Sequence, residues 1–466
     1  MTEDEHVANV VLGGGESGKY IAWELAEQGH PVVVIERGLI GGSCPNIACL
    51  PSKNEIHSAQ VANFVHRAAE YGVRAQAVAV DMAGVRARKR AMVDAEIAGH
   101  RARFARPNLT FLLAEGRVVG PRTVEARSAG GGARRFVAER LFLDLGTRAR
   151  VPDIPGLAEA APLTHVEALE LGHLPPHLIV IGVGYIGVEL AQAFRRFGSR
   201  VTMVGRDAQL MPREEPEVAA ALRAIFEDEG IEIVLGASPL AVEGRSGQRV
   251  RLRVKTADGE RTGERTIEGS DLLVATGRAP NTRGIGLEEA GIALDARGFV
   301  KVDDRLQTSA PGVWAMGECA GSPMFTHVAH DDFRIVRDNL AGRPRSTRGR
   351  LVPFCVFTDP QLARVGIDEA TARRRGTAVR VARLPMARVL RARAIGELRG
   401  FMKALVDAAS DRILGFTMLG AEAGEVVSVV QTAMLAGLPY TALRDAILAH
   451  PTMAEGLGVL LANVPG

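Results

Sequence analysis

The chain has 466 residues, 47% of them hydrophobic and 24% charged, with a formal net charge of +3. At roughly 150 residues per domain this leaves room for about three domains. The composition excludes a disordered chain, 52 glycines without a fixed period exclude a collagen, and the mild charge makes no case for a nucleic-acid partner. Four cysteines (Cys44, Cys49, Cys319 and Cys355) are too few for a disulfide scaffold and fit no zinc-ligand spacing, so no metal site is expected. The N-terminal MTEDEHVANVV is acidic and runs straight into a strand, unlike a secretory signal, and no apolar run of membrane-spanning length follows. A cytoplasmic protein with no membrane partner is expected, in which a disulfide would be catalytic rather than structural.

In chain order, residues 7–13 read as a buried strand, then a glycine-rich turn, a helix around Ile21 and Leu25, and a second strand at 31–35. This is a βαβ opening. The turn, GGGESG, sets Gly13, Gly15 and Gly18 in GxGxxG spacing. Such glycines permit a tight turn, backbone approach to a pyrophosphate and close helix–strand packing, while the helix N-terminus receives the phosphate charge. Glu36 ends the next strand, where a carboxylate can accept hydrogen bonds from ribose hydroxyls. A packing turn is the plainer reading of the glycines. Gly13 to Lys19 also fits GxxxxGK, but Tyr20 stands where a P-loop needs Ser or Thr.

A basic helix is expected from about Met82 to Phe104, a hairpin loop at Gly130–Gly132 and a strand end at 141–146. A second βαβ unit begins near Leu178 with GVGYIG, placing Gly182, Gly184 and Gly187 in the same spacing. The slot equivalent to Glu36 holds Gly205, followed at once by Arg206. Losing the carboxylate removes repulsion of a 2′-phosphate, and an arginine supplies a partner for it. The first unit therefore reads as taking an unphosphorylated ribose and the second as taking NADPH, unless Arg206 is merely a solvated side chain. Two dinucleotide folds in one chain suggest a flavin beside a nicotinamide. Further strands are expected within 232–255, 265–275 and 352–357, and domain boundaries near 151, 275 and 345. Arginine-rich stretches at 86–90, 372–375 and 392–393 could attract anions, though a solvated face is the simpler reading.

Residues 41–53 read GGSCPNIACLPSK. In an ideal helix Cys44 and Cys49 would have Cα atoms about 8.6 Å apart, beyond the roughly 7 Å that a disulfide tolerates. A bridge therefore requires an irregular first turn, for which Pro45 is suited. Two buried structural thiols are the bland alternative.

This segment resembles the redox-active helix of the flavin disulfide reductases, the class I pyridine nucleotide-disulfide oxidoreductases. That family includes dihydrolipoyl dehydrogenase, glutathione reductase and mercuric reductase. LLVATGRAPNT at 272–282, VWAMGECAG at 313–321, VFTDPQLARVG at 356–366 and AHPTMAEG at 449–456 resemble further family segments, so the resemblance spans nearly the whole chain. It implies an α/β fold of two Rossmann-like dinucleotide-binding domains plus a C-terminal α+β dimerisation domain. The divisions would be 1–150 and 276–345 for FAD, 151–275 for NAD(P)H and 346–466 for the interface.

The resemblance further implies an NADPH-dependent, FAD-containing homodimer that cycles a Cys44–Cys49 disulfide. Cys49 would be the thiol at the flavin, in charge-transfer contact when reduced, and Cys44 the thiol that meets substrate. Lys53 would pair with Glu189 near the flavin. Tyr185 would cover the flavin until the nicotinamide displaces it. His450, oriented by Glu455 and contributed by the partner subunit, would be the acid–base group. Gly42, Ser43, Gly146, Gly277, Arg278, Gly317 and Glu318 would line the cofactor sites with the glycines above, Glu36 and Lys53. Ala48 departs from the usual glycine, Glu318 from the usual aspartate, and DLG at 144–146 from the usual small residues. The stretch LLANVPG carries no cysteine pair, and no N-terminal metal-binding extension is seen, both features of a dedicated mercuric reductase. The expected acceptor is a low-molecular-weight disulfide, a metal ion such as mercuric or cupric, or a quinone. Alternatives are a dihydrolipoyl dehydrogenase using NAD and an FAD-holding redox sensor with little turnover.

Overall fold

The computed structural model describes residues 4–76, 79–258 and 261–466. The N-terminal sheet has the order Leu109–Leu113, Val32–Glu36, Asp4–Leu12, Ala133–Leu143, Thr123–Arg127, Glu115–Gly120, with Val313–Ala315 also pairing with Ala133–Leu143. Its central strands run parallel. Parallel strands covered on both faces must be apolar throughout, and Val10, Val11, Val32, Val34, Ile35, Leu141 and Phe142 are accordingly buried. The helix Glu16–Glu27 crosses from the first strand to the second and packs on Thr326–Leu340. Gly131 lies in the hairpin joining Thr123–Arg127 to Ala133–Leu143.

The second nucleotide fold repeats the pattern: a parallel sheet ordered Glu232–Val234, Arg200–Val204, His177–Ile181, Asp271–Val274, with the helix Tyr185–Phe197 after its glycine turn. Gly198, at φ +117°, ends that helix in the left-handed conformation that glycine adopts without steric cost. The expected strand stretch 232–255 resolves into pieces of two sheets. Glu232–Val234 joins the parallel sheet, whereas Ala237–Arg245 and Arg249–Asp258 join Arg261–Gly269 in an antiparallel one. A two-stranded pair, Thr147–Ala149 against Arg278–Pro280, carries the chain out of the first sheet and back again. The C-terminal part is a five-stranded antiparallel sheet, Phe354–Val356, Gln361–Gly366, Ile413–Gly420, Phe401–Asp407, Val379–Pro385, backed by the helix Ala423–Leu435. It has its own apolar core around Leu384, Met402, Phe416 and Leu457.

The basic helix spans Met82–Phe104, capped by the Asp81 side chain, which accepts from Ala83 N at 3.0 Å. Its cations are engaged within the chain. Arg88 donates to Asn54, Lys89 is fully buried against Glu170, and Arg90 pairs with the same carboxylate. Arg88 and Arg90 lie on an exposed face, as the solvated reading has it, while Lys89 is buried and docks the helix on its neighbour.

Candidate active site

The first glycine turn is closed against the end of strand Ala133–Leu143. Gly13 has φ +100°, and a Cβ there would lie 2.2 Å from the Asp144 carbonyl oxygen. No side chain of the N-cap Gly15 caps the helix Glu16–Glu27, so its first amides face the space in front of the turn as an anion-binding N-terminus. Glu36 is held rigidly beside it. Its carboxylate accepts from Gly14 N at 2.8 Å, Gly38 N at 2.8 Å and Leu39 N at 2.9 Å. Lys19 is buried against Glu16 at 2.8 Å, with His100 Nε2 at 3.1 Å. A lysine so engaged, followed by Tyr20, does not fit a P-loop. These groups, a helix N-terminus whose Gly15 cap has no side chain and a fixed carboxylate at the strand end, suit the diphosphate and ribose of FAD.

The cysteine segment docks directly on this turn. Gly42, at φ +85°, lets its backbone approach so closely that a Cβ would stand 2.6 Å from Gly15 Cα. The helical path is broken between the cysteines: one turn covers Ser43–Asn46, Ile47 and Ala48 leave helical geometry, and a long helix starts at Cys49. Pro45 lies inside that first turn. Both cysteines are free thiols. Cys49 Sγ lies 3.2 Å from Thr326 Oγ1, at the first turn of the helix Thr326–Leu340. The Cys44 thiol holds the Cys49 thiol down to about 6; Thr326 and the Lys53 charge assist against the opposing effect of burial. The Cys44 thiol is pushed far up, first by that same hydrogen bond and then by burial. The Lys53 charge beside Cys49 favours that sulfur as the thiolate of the reduced pair.

Lys53 donates to Glu189 Oε2 at 2.7 Å, and Glu189 Oε1 accepts from Phe357 N at 2.7 Å. The ammonium also lies 4.9 Å from the centre of the Phe357 ring. Helix Cys49–His66, the second nucleotide fold and the C-terminal sheet therefore meet at one ion pair. Tyr185 stands just before Glu189 on the same helix, stacked on Phe354 at 5.5 Å, with its hydroxyl donating to Glu214 at 3.1 Å. Burial first, then the Glu214 charge, keeps that phenol protonated.

At the second turn, Gly182 has φ +120° and a Cβ would meet the Ala275 carbonyl oxygen at 2.3 Å. Gly205 ends the second strand, buried, and a Cβ there would lie 2.7 Å from Val183 Cγ1. Arg206 is exposed beside it. No carboxylate occupies the position equivalent to Glu36, and the packing of Val183 leaves no room for one.

Glu318 sits in the turn Gly317–Ala320, which opens at Gly317 with φ +67°. Its carboxylate accepts from Thr147 Oγ1 and pairs with Arg278 at 3.2 Å. Arg278 is thereby held by this chain's own groups. Gly146 and Gly277, at φ +61° and +107°, flank the two-stranded crossover. His450 lies apart on the C-terminal unit. Its Nδ1 is 2.8 Å from Glu455 Oε2, and its side chain remains 65% exposed.

Three groups, the buried Asp144 and Asp332 and the half-buried Thr326, escape a reading of the sequence. Thr326 reaches Cys49 across 277 residues. Asp332 accepts from Gly317 N at 2.7 Å and fixes the Glu318 turn. Asp144 accepts from Gly18 N at 2.7 Å, inside the first glycine turn.

A model of the pyridine nucleotide-disulphide oxidoreductases matches residues 8–332, and a model of their dimerisation domain matches residues 352–460. The chain belongs to the pyridine nucleotide-disulphide oxidoreductase family. It is 35% identical over 461 residues to the probable pyridine nucleotide-disulfide oxidoreductase RclA of Escherichia coli, covering 98% of each chain. It is 34% identical to a mercuric reductase of Acidithiobacillus ferrooxidans, covering 98% of this chain and 82% of that one. The solved structure of the HOCl-induced flavoprotein disulfide reductase RclA superposes with a TM-score of 0.88 at 35% identity, covering 98% of this chain and 100% of that one. A Cu(II) complex of that E. coli protein has also been solved. This family member is an FAD-dependent oxidoreductase that uses a pyridine nucleotide. No helix among its described residues is long and apolar enough to cross a membrane.

Proposed function

We propose that this flavoprotein passes electrons from NADPH, through FAD and a Cys44–Cys49 disulfide, to a small acceptor. The observation that carries the reading is the placement of the thiol pair: its segment docks through Gly42 on the first glycine turn, and Cys49 lies 3.2 Å from Thr326 Oγ1, one helical turn before the Lys53–Glu189 ion pair. Bound FAD supplies two-electron transfer between a nicotinamide hydride and the disulfide. The first glycine turn and Glu36 hold its diphosphate and ribose, and Glu318 and Lys53 border the rest. Lys53, oriented by Glu189, keeps positive charge where the Cys49 thiolate forms. Tyr185 shields the nicotinamide side when no nucleotide is bound.

Cys44 is the thiol that attacks the acceptor after giving its proton to His450, which is oriented by Glu455 and passes that proton to the leaving group. The dimerisation domain and the exposure of His450 favour a homodimer in which this histidine serves the partner subunit's thiols. The chain's units bind FAD (1–150 and 276–345), bind the nicotinamide (151–275) and form the interface (346–466); the crossover pair Thr147–Ala149 and Arg278–Pro280 supports the divisions near 150 and 275. Gly205, hemmed by Val183 and followed by Arg206, supports NADPH over NADH.

The acceptor is a low-molecular-weight disulfide, a quinone or a metal ion such as mercuric or cupric; a Cu(II) complex of the E. coli relative keeps the metal in this set. Purified enzyme with NADPH, offered each class in turn, tests the assignment. Turnover with at least one acceptor that is lost in Cys44→Ser supports it. Faster turnover with lipoamide and NAD would establish the dihydrolipoyl dehydrogenase reading instead.

A further inference from the structure

The two glycine turns of this chain are built alike except at one position. In each, the first glycine presses on the carbonyl of the residue that follows a parallel strand: Gly13 on Asp144 and Gly182 on Ala275. In each, the last glycine packs over the side chain of that same residue. A Cβ on Gly187 would lie 3.6 Å from the Ala275 methyl, and one on Gly18 would lie 3.0 Å from Asp144 Oδ2. The nicotinamide turn therefore has a methyl group where the FAD turn has a carboxyl group.

That carboxyl points into the phosphate-holding turn. Asp144 is 8% exposed, its Oδ2 accepts from Gly18 N at 2.7 Å, and the same oxygen would lie 2.7 Å from a Cβ on Gly15. Oδ1 points toward Gly317, 3.1 Å from where a Cβ there would be. The diphosphate of FAD is a diester with about two full negative charges, and it requires the same helix N-terminus. An ionised carboxylate and a diphosphate at one helix end repel each other in a site of low dielectric.

The surrounding charges do not relieve this. Glu16 on the same helix and Glu36 on the neighbouring strand are acidic, and Asp332 behind Gly317 is paired with Arg350. Lys19, paired with Glu16, pulls the Asp144 carboxyl down, but less than burial, Glu16 and Glu36 push it up. Cys319 beneath the turn is kept protonated by burial, and burial also holds His100 and His330 toward the neutral form. A neutral carboxylic acid, by contrast, keeps its bond from Gly18 N and gains an O–H to donate to a phosphate oxygen.

We propose that Asp144 is protonated whenever FAD is bound, so that above neutrality binding FAD takes up one proton from solvent and Asp144 becomes a hydrogen-bond donor to the diphosphate. Burial, the first cause, with Glu16 and Glu36, already lifts this carboxyl to about 7 without the cofactor, against the pull of Gly18 N–H. The linkage sign follows. A ligand that selects the protonated form binds with constant affinity below that value and more weakly as pH rises above it. The inference rests on the FAD site of the proposed function, not on the electron relay. Acceptor turnover does not enter its test, so a failed relay and a failed proton linkage are separate results.

The test is the equilibrium release of FAD from the oxidised holoprotein, followed by the fluorescence of free FAD on dilution between pH 6 and 9. Oxidised enzyme keeps the thiols out of the titration. The Kd should be flat near pH 6 and rise up to about tenfold per pH unit above neutrality. Asp144→Asn, isosteric and unable to ionise, should keep FAD with a flat profile. Asp144→Ala should also be flat and serves if the asparagine variant does not fold. A flat wild-type profile, or a rise that persists in either variant, would overturn the proposal.

Discussion

Cys49 and Cys44 are chemically distinct because of what touches each one. Cys49 receives hydrogen bonds from Cys44 and Thr326 and the field of Lys53, and it is lowered to about 6. An acid lowered in this way is ionised above that pH and neutral below it. In the two-electron-reduced enzyme, the long-wavelength thiolate-to-flavin absorption should therefore fade as pH falls through about 6. Thr326→Val removes one donor to the thiolate and should move that midpoint upward by about one pH unit. An unmoved midpoint would show that Thr326 does not donate. Cys49→Ser should abolish the band, while Cys44→Ser should retain it; exchanged behaviours would invert the two roles. Arg206→Glu should erase or reverse the preference for NADPH, measured as the ratio of kcat/KM for the two nucleotides. An equal loss with both nucleotides would assign Arg206 another task.

At the level of elements, the glycine turns organise the molecule because backbone must touch backbone there. Gly42→Ala places a methyl group 2.6 Å from Gly15 Cα at a φ of +85°. The strain should cost about 1–3 kcal/mol and separate the cysteine segment from the FAD turn. The expected outcome is a lower Tm and weaker FAD retention, with Gly29→Ala, which meets no atom within 4 Å, losing only the local φ preference. Equal effects of the two substitutions would contradict the docking. Both turns, both βαβ units and the helix over Met82–Phe104 were legible in the sequence, because strand, turn and helix signals there are local. Asp144 and Thr326 were not, since their partners Gly18 and Cys49 lie 126 and 277 residues away. The strands within 232–255 read as one stretch because β-propensity does not reveal which sheet a strand joins.

The whole molecule brings three units to one ion pair. Lys53 belongs to the cysteine helix, Glu189 to the second nucleotide fold, and Phe357, which binds Glu189 through its amide, to the C-terminal unit. His450 faces outward on that C-terminal unit, so the account needs a second chain. His450→Ala should slow acceptor turnover by roughly 10²–10⁴-fold, the usual worth of acid–base assistance, and leave the NADPH half-reaction nearly unchanged. Mixing His450→Ala chains with Cys44→Ser chains should restore part of the activity, because each heterodimer regains one intact composite site. No recovery with heterodimers present would place His450 in its own subunit's chemistry or outside the reaction.

The most direct test of the electron path is anaerobic titration of the purified enzyme with one equivalent of NADPH, followed by alkylation of accessible thiols. The account predicts that the long-wavelength band appears as the equivalent is consumed and that Cys44 becomes alkylated while Cys49 remains protected beside the flavin. A bleached flavin with no such band, and no newly reactive thiol at Cys44, would contradict it.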